Sequence, residues 1–254
     1  LGEYLPQHRL IGGTPFDASP CGRATMQDMD QEAMTGFIRE ARRARNFPLA
    51  ESTPPEDLLR HLNLVEQGHP TNAALLLFGA LPQRFVPASE IKCAQFYGTE
   101  VTKPIPSYQT YKGNAFRLVD QAIDFVMSKI DAHVGTRTES AQAPVTFEIP
   151  REVVAEAIVN AVAHRDYSIK GTDIQIKMFD DRLTVESPGT LPGIVRLNNM
   201  RHVHFSRNPK IAQFLHEYEY VQEFGEGVDR LYEVMEAAGL PQPEYRVEAF
   251  MLYA

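Results

Sequence analysis

Three polar side chains recur at one-turn spacing in the middle of the chain. Glu156, Asn160 and His164 are four residues apart, so on a helix they share one face. The apolar residues of the same stretch can pack inward at helical spacing: Val153, Ala157, Val159 and Ala161. A carboxylate, an amide and an imidazole are costly to bury together without a function. The first interpretation of this face is therefore catalytic.

The elements that must position this face follow it in the sequence. Pro150 opens the helix, and His164-Arg-Asp-Tyr167 ends it as a charged turn. Alternating residues predict a strand over 173–179 and an antiparallel return strand over 183–186. Further predicted elements are a glycine loop over 187–193, a helix from Asn208 to Leu215, a glycine pair (Gly225 and Gly227) opening a helix through Ala238, and a closing strand over 245–253.

The first half of the chain predicts a separate set of elements. Helices are expected over 30–45 and 52–66, a buried apolar element over 71–79 and a strand over 91–97. A polar connection with Pro104 and Pro106 follows at 99–112. The apolar spacing from 113 to 132 predicts a long amphipathic helix bridging the two halves, and 133–148 forms a linker.

Composition is that of a soluble globular protein, with 43% hydrophobic and 23% charged residues among 254. No apolar run is long enough for a membrane helix, and no secretory signal precedes the first helix, so we expect a cytoplasmic protein without membrane partners. The missing initiator Met suggests a fragment. A net charge of -8 argues against broad nonspecific nucleic-acid binding by this segment.

Taken together, these motifs resemble a known family. The order of Glu156-x3-Asn160, Val185 to Gly189 and Gly225-x-Gly227 is similar to the three boxes of the GHKL ATPases. More closely, the chain resembles bacterial proteins that pair a Schlafen/AlbA-type DNA-binding domain with a divergent GHKL domain, often labelled transcriptional regulators or RecG-related ATP-dependent DNA helicases. The motifs that carry this resemblance, over roughly residues 4–250, are 156–167, 187–192, 206–211, 223–227, 71–79 and 82–85.

The resemblance implies an α+β fold in three regions. Residues 136–254 would form a GHKL-like (Bergerat) α/β sandwich, a mixed sheet under helices that binds ATP. A smaller α+β region with the bridging helix would occupy 51–135. Residues 1–50 would hold the remnant of an AlbA-type domain and a connecting helix.

The resemblance also implies an ATP site with Mg²⁺. Asn160 would be the metal ligand through its amide oxygen, and Glu156 would orient or deprotonate the attacking water. Gly225 and Gly227 would expose N–H groups to phosphate, while Gly189 and Gly193 would belong to the adenine-side wall. His164 would face the phosphates or join a structural ion-pair corner.

One departure from the family pattern affects the adenine side of the site. Ser187 stands where the GHKL pattern has the Asp that reads the adenine amino group, and Glu186 precedes it. The alternative interpretation of Glu156 and Asn160 is a buried polar pair that holds the helix to the hairpin. The departure at Ser187 predicts ATP binding that is weak, altered or lost, and hydrolysis is less secure than nucleotide binding.

Two functions follow from the resemblance. The first is a nucleotide-sensing, ATP-binding transcriptional regulator with weak ATPase activity, which contacts DNA through an N-terminal module mostly absent here and forms a homodimer. The second is a catalytically inactive GHKL-like scaffold used for dimerisation or interaction. A P-loop helicase is excluded, because no Gly-x4-Gly-Lys-Ser/Thr stretch occurs.

Overall fold

The structure is a computed structural model that describes residues 14–44, 46–130, 132–134, 145–203, 205–217 and 227–254. Its helices are α1 (Gln31–Ala44), α2 (Pro55–His61), α3 (Asn72–Phe78), α4 (Ala115–Met127), α5 (Arg151–His164), α6 (Pro209–Glu217) and α7 (Gly227–Ala237). Its strands are β1 (Val65–Glu66), β2 (His69–Pro70), β3 (Ile91–Gln95), β4 (Ser107–Tyr111), β5 (Ala132–Val134), β6 (Val145–Phe147), β7 (Ile174–Met178), β8 (Leu183–Pro188), β9 (Arg246–Glu248) and β10 (Met251–Tyr253).

A mixed sheet of six strands organises the fold. Its order is β4-β3-β7-β8-β10-β9, in which β3 and β7 are parallel and every other neighbouring pair is antiparallel. Helix α4 packs against β3, and helix α5 packs against β8 and α4. This arrangement confirms the expected α+β class with a mixed sheet under helices.

The sheet combines strands from both halves of the sequence. Strands β3 and β4 come from the region predicted at 51–135, and the other four come from the region predicted at 136–254. The predicted division into three regions stays a prediction.

One hydrophobic core connects the two halves. Phe37 of α1 lies 5.2 Å from Phe78 of α3 and 6.0 Å from Phe214 of α6, measured between ring centroids. All seven residues of α3 are buried, which explains the continuous apolar run in this part of the sequence. Within the described residues, no helix combines the length and apolar character needed to cross a membrane.

Several local predictions differ from the structure. The segment 99–112 was expected to be an irregular connection, yet its last residues form β4, which pairs with β3 along the sheet edge. Helix α2 stops at His61, because Asn63 adopts a left-handed conformation with φ of 55°. The predicted closing strand is two strands, and Ala249 (φ 50°) lies in the turn between them. The predicted linker contains β5 and β6, while its residues 135–144 lie outside the described part of the chain.

Two buried polar side chains tie distant segments to the central helix layer. Asp17 is fully buried and accepts hydrogen bonds from the backbone N–H groups of Lys210 (2.6 Å) and Ile211 (3.3 Å), in the first turn of α6. Asn208, 1% exposed, donates to the carbonyls of Ala163 and Arg165 at the end of α5. These contacts fix α6 against the end of α5.

Candidate functional site

A cavity of about 350 Å³ lies between α5, β8, the start of α7 and the loop after β8. Six of the predicted site residues line it: Glu156, Asn160, His164, Ser187, Gly189 and Gly227. Gly193 lies instead in a larger groove beside the cavity. Gly225 lies outside the described residues. The structure thus brings together residues that are up to 71 positions apart in the sequence, from Glu156 to Gly227.

Most of the cavity wall is apolar. The larger apolar residues come from β8, the following loop and β10: Val185, Leu191, Val195, Met200, Val203 and Leu252. A few polar groups converge on this wall from α5, β8 and α6. An apolar cavity with a small number of placed polar groups is the usual character of a small-molecule site.

Glu156 is the buried acid of the cavity. It is 4% exposed, and Asn160 donates a 2.7 Å hydrogen bond from Nδ2 to its Oε1. Its Oε2 is buried and has no hydrogen-bond partner among the described residues. Burial raises the pKa of this carboxyl, and the Asn160 hydrogen bond and the nearby Arg230 charge only partly oppose the shift. This carboxyl therefore keeps its proton to a higher pH than an exposed glutamate does.

The same carboxyl lies against the first residue of α7. A β carbon added at Gly227 would overlap Glu156 Oε1, so a larger residue here would displace the Glu156 carboxyl. The free N–H groups of a helix start favour an anion, and here the neighbouring anion is the protein's own side chain. Glu156 therefore lies close to where the resemblance would place phosphate.

His164 is a neutral imidazole facing the cavity. Its Nδ1 is buried and has no hydrogen-bond partner among the described residues. Burial, together with smaller effects of the neighbouring His216 and Arg207, lowers the pKa of His164 to about 4. His216, which also lines the cavity, has its pKa lowered by burial. Both imidazoles can hydrogen-bond a ligand without adding charge.

Ser187 and Glu186 face opposite sides of β8. The Ser187 hydroxyl donates a 2.9 Å hydrogen bond to the carbonyl of Ala161 in α5, on the cavity side. The Glu186 carboxylate lies 2.6 Å from Lys177 Nζ on the other face, because successive strand residues alternate. Neither residue supplies a carboxylate to the cavity, which matches the expected departure from the adenine-reading Asp.

The charged turn after His164 forms a structural corner. Arg165 is fully buried, and its guanidinium donates to the carbonyls of Asp166 (2.9 Å), Ile169 (3.4 Å) and Thr172 (2.6 Å). The Tyr167 hydroxyl donates to the carbonyl of Val162, and its ring lies 5.1 Å from the Arg165 guanidinium carbon. Of the four residues in the His-Arg-Asp-Tyr motif, only His164 lines the cavity.

Several wall residues were not singled out from the sequence. His216 comes from α6, and Tyr245 from the segment before β9; burial raises the pKa of Tyr245, and the neighbouring Tyr232 and Glu156 raise it further. Neither belongs to a spaced motif, so no local signal could have identified them.

Among the described residues, no group of three or more His, Cys, Asp or Glu could hold a metal ion, and Asn160 as a metal ligand stays a prediction.

Two family models match parts of the chain. Residues 171–252 match a family described as "Putative ATP-dependent DNA helicase recG C-terminal", and residues 12–91 match a "Domain of unknown function (DUF8451)". The first match begins after α5, so it covers Ser187, Gly189 and Gly227 but not Glu156 or Asn160. A comparison with curated proteins finds no match.

Among solved structures, the chain is similar to the DIP2311 protein from Corynebacterium diphtheriae. The TM-score is 0.73 with 24% sequence identity, covering 94% of this chain and 47% of that one. The chain therefore spans about half the length of that protein, and the likeness shows the shared fold. The family match supports the coarse part of the resemblance, an ATPase-like domain in the second half of the chain.

Proposed function

We propose that the cavity binds a nucleotide and that the protein is a nucleotide-sensing regulator. The observation that carries the proposal is the convergence of Glu156, Asn160, Ser187 and Gly227 on one cavity. Occupancy would be reported to a DNA-binding module outside this segment and to a second copy of the chain in a homodimer.

The wall suits the base and sugar of a nucleotide. It offers an apolar surface for a flat ring, two neutral imidazoles and the Asn160 amide for hydrogen bonds. For Mg²⁺, the Asn160 amide oxygen remains the ligand atom, since its nitrogen faces Glu156. Bound Mg²⁺ would supply charge neutralisation for phosphate, and Glu156 would hold the proton taken from a water molecule.

A thermal-shift titration tests this proposal. ATP with Mg²⁺ at millimolar concentration should raise the melting temperature, because any ligand that binds only the folded state stabilises it. Asn160→Ala should reduce that shift, since the amide oxygen is lost. Asn46→Ala, at an exposed position after α1 and away from the cavity, is a control that removes the same amide and should leave the shift unchanged. No shift with wild-type protein would reject nucleotide binding.

A catalytically inactive scaffold is the second candidate. Two observations favour it: the Ser187 hydroxyl is used in a hydrogen bond to α5, and Glu156 lies against Gly227 instead of being open to a water molecule. This proposal predicts no ATP turnover above background. Turnover that disappears in Glu156→Gln while binding persists would reject the scaffold and assign weak ATPase activity to the site.

A further inference from the structure

The two edges of the six-stranded sheet differ in how well they resist pairing with another strand. Strand β9 forms one edge with three residues, of which Arg246 and Glu248 are exposed and charged. Strand β4 forms the other edge with five residues, Ser107–Tyr111, and contains no charged residue and no proline. Short length and charge are the usual protection of an edge against pairing with another chain. The strand at the β4 edge lacks both.

The backbone of β4 offers free hydrogen-bonding groups on its outer side. Phe96 donates from its backbone N–H to the carbonyl of Met178, so the even-numbered residues of β3 point their backbone groups toward β7. The odd-numbered residues of β3 then face β4, where the register pairs them with the odd-numbered residues of β4. The backbone groups of Tyr108 and Thr110 therefore point away from the sheet. Among the described residues, no backbone hydrogen bond to another segment satisfies them.

The side chains of these two residues lie on the face of the sheet opposite α4. Tyr111 contacts Phe125 of α4, with ring centroids 6.5 Å apart, so Tyr108 and Thr110 project from the other face. Tyr108 is 50% exposed and accepts a 3.2 Å hydrogen bond from the Thr110 hydroxyl. An aromatic ring and a β-branched side chain are thus available to a strand that pairs along this edge.

Exposed apolar side chains concentrate in the segment that leads into β4. Four of the nine large hydrophobic residues that are exposed in the described part of the chain lie here: Tyr97, Val101, Ile105 and Tyr108. Single exposed apolar residues are ordinary, whereas a concentration of them marks a contact surface. The segment 101–112 also contains no Asp or Glu, and of its two lysines Lys112 pairs with Glu90 at 3.3 Å. Because the chain has a net charge of -8, two copies repel each other least along a surface without acids.

We propose that β4 pairs antiparallel with β4 of a second copy, about a two-fold axis through Gln109, and joins the two sheets into one. In this register Tyr108 lies opposite the partner's Thr110, and each residue gives one N–H and one carbonyl across the axis. The pattern is self-complementary, as a two-fold symmetric dimer requires. Pro106 has no N–H and ends the pairing beyond Tyr108. The inference rests on the homodimer in the proposed function, for which it supplies the surface, and does not depend on nucleotide binding.

Hydrogen exchange at rising protein concentration tests the pairing in the wild-type chain. The backbone N–H groups of Tyr108 and Thr110 should exchange fast in dilute protein and slow about tenfold or more where light scattering shows a dimer. The N–H of Gln109 faces β3, so it should be protected at every concentration and serves as the internal control. A dimer in which the two outer N–H groups stay unprotected would place the contact elsewhere and overturn the proposal.

Two variants at the edge should weaken the dimer, as measured by sedimentation equilibrium. Thr110→Pro removes an outward N–H and leaves the hydrogen bonds to β3 in place, so dimerisation should weaken about tenfold or more. Tyr108→Lys should weaken it as well, because a charged edge resists pairing. Leu81→Lys makes the same change of charge at a site that is 54% exposed and outside this edge, and should leave dimerisation unchanged.

The outcomes separate this inference from nucleotide binding. A chain that stays monomeric at its highest soluble concentration rejects the pairing and leaves the edge to an extended segment of a different protein. A dimer that persists in both edge variants rejects it too, and if a variant does not fold, exchange in the wild-type chain still decides. A monomer that shows the thermal shift with ATP rejects only the interface, and a β4 dimer without that shift rejects only nucleotide binding.

Discussion

The cavity-facing side of α5 and the corner at its end differ in how completely their buried polar groups are hydrogen-bonded. On the cavity side, Glu156 Oε2 and His164 Nδ1 are buried without hydrogen-bond partners among the described residues. At the corner, the Arg165 guanidinium gives three hydrogen bonds to backbone carbonyls and the Tyr167 hydroxyl gives a fourth, while Arg165 Nε has no partner among the described residues. The two regions are adjacent in sequence and belong to one motif.

The difference shows which part of the motif maintains the fold and which part is available to a ligand. Satisfied buried groups stabilise a structure, while unsatisfied ones reduce stability and persist where a partner is expected to bind. We therefore expect the corner to contribute mainly to stability and the cavity side to be available to a ligand. Three variants test this contrast, from the largest expected effect to the smallest.

Arg165→Met should cause the largest loss of stability. It removes three hydrogen bonds and leaves carbonyl groups buried without donors, so the free energy of unfolding should fall by about 3 kcal/mol in a urea titration. Arg60→Met is the control, because Arg60 is exposed and pairs only with Glu56 among the described residues; it should cost about 0.5 kcal/mol or less. Equal effects for the two variants would contradict the structural role of the corner.

Glu156→Gln should stabilise the protein at neutral to alkaline pH. The raised pKa means that the folded state favours the protonated carboxyl, so stability is present below the ordinary pKa of 4.5 and is lost as pH rises through the folded value. Glutamine keeps the acceptor for Asn160 and removes the buried charge, so the gain should be about 1 kcal/mol at pH 8.

The stability gain of Glu156→Gln should shrink as pH falls toward 4.5. Unfolding free energies across this range measure it, and Glu236→Gln, an exposed site on α7, should show no such trend. A destabilised Glu156→Gln at pH 8 would mean that the charge has a partner, contrary to the cavity description.

His164→Asn should have the smallest effect at pH 7 and a larger one in acid. With a folded pKa of about 4 against an ordinary value of 6.5, His164 contributes stability above pH 6.5 that is lost as pH falls toward 4. The variant should therefore lose less stability than wild type between pH 7 and 5. Stability of the variant should still fall somewhat with pH, because the pKa of His216 is lowered as well. Parallel pH profiles would show that the imidazole is protonated normally.

The central elements could be predicted from the sequence because their signals are local. Apolar spacing identified α5, and strict alternation identified β7 and its antiparallel partner β8. Strand β4 was missed because it is a polar edge strand preceded by prolines, and edge strands need less apolar character. Its pairing with β3 is visible only in three dimensions.

The site was predictable only where residues belong to spaced motifs. Glu156 and Asn160 share a helix face, so their hydrogen bond follows from sequence. The contact between Asp17 and the start of α6 joins residues 193 positions apart, and nothing local announces it. The larger groove beside the cavity likewise arises from packing, because residues as far apart in sequence as Arg23 and Arg207 line it only in the folded chain.

The parallel pairing of β3 with β7 also has a consequence for biosynthesis. All five residues of β3 find their β7 partners only after α4 and α5 have been made, whereas their β4 partners come before both helices. A chain that emerges from the ribosome amino end first therefore carries β3 with one open edge during that interval. Synthesis speed across α4 and α5 should then influence how much of the protein aggregates, because late, non-local strand pairing is slow.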